Sequence, residues 1–153
     1  MSREYESARL ILELYQLRRE PKMREARTWF LAQWPKTPPD LVEMARGENN
    51  TLFRMATSYW DMACSLVNNG AIEARMFHDS MNEHVFMYAK VVRLLPEFRA
   101  TVGQPRFLAQ LEKCVQALPD LADRLAYFEK VRERMLAQAQ AQAATAAAAG
   151  AGR

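Results

Sequence analysis

The chain has 153 residues, of which half are hydrophobic and a quarter are charged, and its formal net charge is +3. This length and composition are typical of one globular domain with its own hydrophobic core. Lysine and arginine are spread along the chain without a basic block, which argues against a nucleic-acid-binding protein.

Glycine and proline divide the chain into segments whose apolar residues recur with helical spacing. The predicted helices, in chain order, lie near residues 3–20, 22–34, 38–46, 51–68, 71–95, 96–102, 105–118 and 120–139. No segment shows the sustained alternation of a half-buried strand. We therefore predict an all-α fold, a bundle of about six to eight helices.

Two local signals fix boundaries in this map. The segment TPPD at 37–40 has the pattern of a helix start, with a threonine cap and proline in the first turn. The segment NNG at 68–70 is a helix stop, because asparagine and glycine tolerate the left-handed conformation. We expect it to turn the helices at about 51–68 and 71–95 into a central antiparallel hairpin.

The second arm of this hairpin carries one apolar stripe that includes a histidine. Its members are Phe77, Met81, His84, Tyr88, Val91 and Leu95. His84 is therefore predicted to lie inside the protein, where a buried imidazole needs a hydrogen bond. A structural histidine is the preferred interpretation over a catalytic one.

The C-terminal tail is predicted to be less ordered than the rest of the chain. Residues 1–136 form a single helical domain, and the Ala/Gln-rich residues 137–153 form a frayed helix or a disordered tail, because they lack large apolar anchors. We find no secretory signal and no run of about 20 apolar residues that could span a membrane. We expect a cytoplasmic protein.

Neither a metal nor a cofactor site is predicted. His78 and His84 are six residues apart, which on a continuous helix places them about 240° apart and on different faces. Neither histidine belongs to the Glu-x-x-His motif of a di-iron bundle. Cys64 and Cys114 lack CxxC spacing and lie on apolar faces, where a cysteine behaves as a small hydrophobe.

No catalytic motif is present either. The sequence contains no G-x-S-x-G elbow and no P-loop. Carboxylates such as Asp79 and Glu83 are spaced as i,i+4 pairs, which we interpret as solvated faces of a helix. We expect a protein that is not an enzyme.

Several residues are candidates for binding. Trp29 and Phe86 align with polar residues on their helices, so each is either an anchor for a protein partner or is covered by another helix of the same chain. Four further residues of the predicted hairpin are candidates for lining a ligand pocket or for forming a buried polar seam. They are Trp60, Asp61, His84 and Tyr88.

The stretches YQLRREPKMREARTWF (15–30) and SYWDMACSLVNNGAIEARMFHDSMNEHVFMYAK (58–90) carry a resemblance, which continues through 94–99 and 107–113. Together they resemble a group of small, uncharacterised, all-helical bacterial proteins of acidobacterial type that is described as a domain of unknown function. The resemblance implies a compact, cytoplasmic helical unit and assigns no site.

Two functions from different classes remain. The first is a non-enzymatic helical interaction protein or accessory subunit, with self-association as one option, whose partner is a protein and not a nucleic acid. The second is a small-molecule-binding or regulatory bundle with a pocket near Trp60, His84 and Tyr88. An enzyme that uses His84 with Glu83 or Asp61 is a third, weaker hypothesis.

Overall fold

A computed structural model describes residues 1–152, which are helical with short connections. The helices in chain order are α1 (Arg3–Arg19), α2 (Pro21–Ala32), α3 (Pro38–Arg46), α4 (Asn50–Asn68), α5 (Ala74–Ser80), α6 (Glu83–Val91), α7 (Leu95–Val102), α8 (Ala109–Gln116) and α9 (Leu121–Ala151). The all-α prediction is confirmed. The described residues contain nine helices, one more than the eight segments read from the sequence, because one predicted helix is divided in two.

The boundaries marked by local sequence signals are where we predicted them. The Thr37 side chain caps α3 by accepting a hydrogen bond from the Asp40 amide, and Asp40 in return accepts from the Thr37 amide, which forms a capping box. Gly70 follows α4 with a φ of +79°, a conformation that glycine adopts without steric cost. The amides of Gly70 and Ala71 bond back to carbonyls of the last turn of α4.

Helix α4 is the centre of the molecule. Eight of its nineteen residues are buried, and its main neighbours are α2 and α8, with smaller contacts to α3 and α5. This arrangement corrects the predicted hairpin, since helices from distant parts of the sequence, and not its own successor, cover most of α4. Packing partners separated by 20 to 60 residues cannot be read from the spacing within one segment.

The predicted helix 71–95 is interrupted at Met81 and Asn82. Met81 has extended backbone angles (φ −136°, ψ 139°), so α5 ends at Ser80 and α6 begins at Glu83. Neither glycine nor proline marks the break, which is why the sequence pattern did not predict it. The interruption changes the direction of every side chain after Ser80 relative to those before it.

Helix α9 lies against α6 through its first half, where Phe128 is its one buried residue. Residues 137–151, in the predicted tail, continue as exposed helix for about 22 Å at 1.5 Å per residue. Arg153 lies outside the described residues. Among residues 1–152, no helix combines the length and apolarity that crossing a bilayer requires.

Candidate functional site

Glu83, the first residue of α6, accepts hydrogen bonds from three other helices. Arg27 of α2 binds it with two guanidinium nitrogens, Nε at 2.9 Å from Oε1 and Nη2 on Oε2. Arg18 of α1 lies 3.4 Å from Oε2, and the indole nitrogen of Trp60 lies 3.2 Å from Oε1. The Glu83 side chain is only 12% exposed, so this carboxylate joins α1, α2, α4 and α6 beneath the surface.

This role of Glu83 corrects the sequence interpretation. We expected a solvated ion-pair face with Asp79, but the break after Ser80 separates the two carboxylates, and Asp79 instead lies 3.8 Å from Arg75 on the surface. The arginines that bind Glu83 come from positions 56 and 65 residues away. No local pattern indicates such partners.

His84, the next residue, is fully buried as predicted and has a histidine as its partner. Its Nε2 lies 3.1 Å from Nδ1 of His78, and the two rings stack with centroids 5.2 Å apart. The prediction that these histidines face different directions is wrong, because it assumed a continuous helix. Burial lowers the pKa of His84 to about 3, with smaller effects from the positive charges of neighbouring groups.

The row of titratable groups continues from His78 to the two cysteines. Nε2 of His78 lies 3.8 Å from Sγ of Cys114, and the thiols of Cys114 and Cys64 are close enough to shift each other's pKa. Interaction with the Cys64 thiol lowers the pKa of Cys114, whereas interaction with Cys114 and burial raise the pKa of Cys64. The arrangement is a linear row from α4 through α8 and α5 to α6. Within residues 1–152, no three His, Cys, Asp or Glu side chains are grouped so that they could hold a metal ion.

The predicted ligand pocket near Trp60, His84 and Tyr88 is filled by these side chains. Trp60 and His84 are fully buried with ring centroids 5.6 Å apart, and Tyr88 is 3% exposed. The Tyr88 hydroxyl accepts a hydrogen bond from Gln116 at 3.3 Å. The two larger cavities described below are lined by other residues.

Asp61 has a structural partner in another helix. Its Oδ1 accepts a hydrogen bond of 2.9 Å from the backbone amide of Leu111, in the first turn of α8. Such an amide has no partner within its own helix, so the carboxylate of α4 satisfies it and compensates the positive end of the helix dipole. Asp61 therefore fixes α8 on α4.

Trp29 and Phe86, the candidate partner-binding residues, are half-buried by the same chain. The Phe86 ring lies 4.9 Å from that of Phe128 in α9 and 5.6 Å from that of Trp34. Trp29 packs edge-on against Phe30. Of the two interpretations of these aromatics, coverage by other parts of the chain is the one that the contacts support.

Lys90 is a buried cation that the sequence analysis did not single out. Its ammonium group donates to the carbonyl oxygens of Phe30 (3.3 Å), Leu31 and Gln33 (2.7 Å) at the end of α2, and it lies 4.1 Å from the centroid of the Trp34 ring. Burial lowers the pKa of Lys90 to about 7. Three acceptors match the three N–H donors of the charged form, so this contact caps α2 and complements its dipole.

Two sizeable cavities open on the surface. The first, of about 480 Å³, lies beside the break between α5 and α6, and its lining includes His78, Asn82 and Arg124. The second, of about 520 Å³, lies between α4 and the loop before α8, and its lining includes Arg54, Arg106 and Phe107.

A family model described as a domain of unknown function (DUF4760) matches residues 5–118. The chain belongs to the DUF4760 family. It matches no curated protein and no solved structure.

The matched DUF4760 region contains most of α1 and all of α2 to α8, together with Glu83, the two histidines and both cysteines. Helix α9 begins at Leu121, after the matched region, although Phe128 covers Phe86 within it. The family region is thus the part of the chain in which the buried polar groups lie.

The surface of α1 in this DUF4760 chain shows large hydrophobic residues that no other element within residues 1–152 covers. Tyr5 is 54% exposed, Leu12 is 63% exposed and Tyr15 is 51% exposed. With the half-buried Ala8 they follow the spacing 5-8-12-15, which places them in one stripe along the helix. Leu17 is also exposed, but five residues from Leu12 it lies about 140° away around the helix.

Proposed function

We propose that the protein is a non-enzymatic helical interaction protein that associates with a second copy of itself through α1. The observation that carries the proposal is the exposed stripe of Tyr5, Ala8, Leu12 and Tyr15, hereafter the α1 stripe. Its steps of three and four residues are those of a helix-pairing seam. An exposed, ordered apolar patch of this kind is a common feature of protein interfaces.

The sequence of α1 supports an antiparallel pairing. If the two helices cross midway between Ala8 and Leu12, then Tyr5 lies opposite Tyr15 of the second copy and Ala8 lies opposite Leu12. Leu12 of each copy then faces the small Ala8 of the other copy. Glu4 and Glu6 in the first turn approach Arg19 in the last turn of the second copy, and the helix dipoles are also opposed.

The proposal also includes the kind of partner, the cellular location and the origin of the protein. The partner is a protein, because the 21 basic and 18 acidic residues form no basic block for a nucleic acid. We also propose a cytoplasmic location and a bacterial, acidobacterial-type origin. Trp29 and Phe86 are left out of the proposed interface because their own chain contacts them.

The test is the mass of the protein in solution. A stripe of four residues is small next to the roughly 800 Å² per partner of a standard interface, so we expect a dissociation constant of about micromolar or weaker. Sedimentation equilibrium of the wild type should show a mass that rises with concentration from 17.6 kDa toward twice that value. Leu12→Glu should hold the mass at that of the monomer.

The same helix offers a matched control. Leu17→Glu adds the same charge at a residue of similar exposure on another face of α1, and it should leave the mass unchanged from that of the wild type. A wild type that stays monomeric at all concentrations would contradict the proposal. A monomer mass for both Leu12→Glu and Leu17→Glu would also contradict it, since the loss of the dimer would then depend on the added charge and not on the α1 stripe.

A small-molecule-binding protein is the second candidate function. The observation that favours it is the presence of two open cavities of about 480 and 520 Å³ away from the packed residues Trp60, His84 and Tyr88. Volumes of this size are typical of small-molecule sites.

A further inference from the structure

The cavity between α4 and the loop before α8 is bordered by two arginines. Its lining includes Arg54, Met55, Asp61, Arg106, Phe107 and Leu108, together with several uncharged polar residues. Arg54 and Arg106 have exposed side chains, and within residues 1–152 neither guanidinium group makes an ion pair or a hydrogen bond. Both are therefore free to bind an anion from solution.

One acidic residue, Asp61, also lines this cavity. Its Oδ1 is already hydrogen-bonded to the amide of Leu111, so part of its negative charge is directed at the N-terminus of α8. The first cavity differs, because Asp79 and Asp123 border it together with Arg124. The cavity at Arg54 and Arg106 is thus the more favourable of the two for a negatively charged group.

Another part of the wall is apolar and firmly held. Phe107 stacks on the buried Phe53 with centroids 5.8 Å apart and planes at 8°. Leu108 is 3% exposed and has a φ of +55°, a left-handed conformation that is rare for a leucine. Burial of its side chain holds this strained backbone in place, which fixes the loop that carries Arg106 and Phe107.

We propose that this cavity binds an organic anion, with a carboxylate, phosphate or sulfonate group between Arg54 and Arg106 and an apolar body on Met55 and Phe107. Guanidinium groups bind such anions through charge-assisted and often bidentate hydrogen bonds. The proposal does not depend on self-association, since no residue of the α1 stripe lines the cavity.

The experiment uses two fluorescent probes that share an apolar body and differ in charge. These are 8-anilinonaphthalene-1-sulfonate and the uncharged N-phenyl-1-naphthylamine, titrated into the folded, full-length protein. The variants are Arg54→Gln, Arg106→Gln and the double substitution. The control is Arg134→Gln, which removes the same charge from an exposed position on α9 that lines neither large cavity.

We expect the sulfonate to bind more tightly than the uncharged probe, and the double variant to weaken sulfonate binding by about tenfold or more. Arg134→Gln should bind as the wild type does, and so should Leu12→Glu, which excludes the α1 stripe as the probe site. Equal affinity for both probes, no sulfonate binding, or sulfonate binding unaffected by the double variant would each overturn the proposal. Circular dichroism of each variant confirms that it is folded.

Discussion

Glu83 and His84 are adjacent in the chain, yet their buried side chains have different partners. The Glu83 side chain is surrounded by guanidinium and indole donors. His84 has the His78 ring as its neighbour and is favoured in its uncharged form because of burial. A buried group that must stay neutral makes the stability of the fold depend on pH.

We predict that acid destabilises the protein through His84. Its pKa is about 3 in the folded chain, because of burial, against an ordinary value of 6.5. Between these values the unfolded chain takes up a proton that the folded chain does not, so the free energy of unfolding falls as the pH falls through this range. From about pH 7 to pH 4.5 the loss from this group is about 2.5 kcal/mol.

Urea unfolding at the two pH values measures this effect. His84→Gln removes the titrating group and should show a smaller loss of stability between pH 7 and 4.5, even if it is less stable than the wild type at both. If the free energy of unfolding fell by the same amount between pH 7 and 4.5 in the wild type and in the variant, His84 would be ruled out as the source of the acid sensitivity.

For individual residues, the sequence predicts whether a side chain is buried better than it predicts which side chains it contacts. The apolar stripe correctly placed His84 inside, and the apolar neighbours of Cys64 and Cys114 correctly indicated that both are buried. The contact between the two histidines and the role of Glu83 depend on the break at Met81 and on residues of α1 and α2. Those are tertiary features that spacing along one helix does not contain.

Helix boundaries were predicted well where the capping chemistry is local. The TPPD and NNG segments set the start of α3 and the end of α4 because their side chains and backbone act on adjacent residues. The predicted helix 105–118 begins instead at Ala109, since Leu108 adopts a left-handed conformation just before it. Phe107, the residue before Leu108, stacks on the buried Phe53. We therefore attribute the start of α8 to tertiary packing and not to helix propensity.

We predict that the last turns of α9 contribute nothing to the stability of the fold. Residues 137–151 are helical but exposed, without a buried contact. Removal of residues 137–153 should therefore change the free energy of unfolding by less than about 0.5 kcal/mol. Chemical denaturation of the two chains makes the comparison.

A longer truncation is the matched control. Removal of residues 121–153 takes away Phe128 and uncovers Phe86, so it should lower the free energy of unfolding by about 3 kcal/mol or more. If the shorter truncation proved equally destabilising, residues 137–153 would have to pack on the domain, contrary to this account.

At the scale of the whole molecule, the core of the DUF4760 region is buried, and the α1 stripe is an apolar surface that lies outside this core. The spacing 5-8-12-15 can be read from the sequence, but nothing in the sequence shows that α2 and α5 pack on another face of α1 and leave this one in solvent. Self-association through this stripe is the central claim of the proposed function.

Cysteine cross-linking in solution tests that claim most directly. In the antiparallel pair, position 5 of one copy meets position 15 of the other, whereas the two copies of position 5 lie about 15 Å apart along the helices. A disulfide requires Cα atoms within about 7 Å. Under mild oxidation, a mixture of Tyr5→Cys and Tyr15→Cys should therefore form a covalent dimer, and neither variant alone should do so. No dimer from the mixture, or an equal yield from Tyr5→Cys alone, would contradict the account.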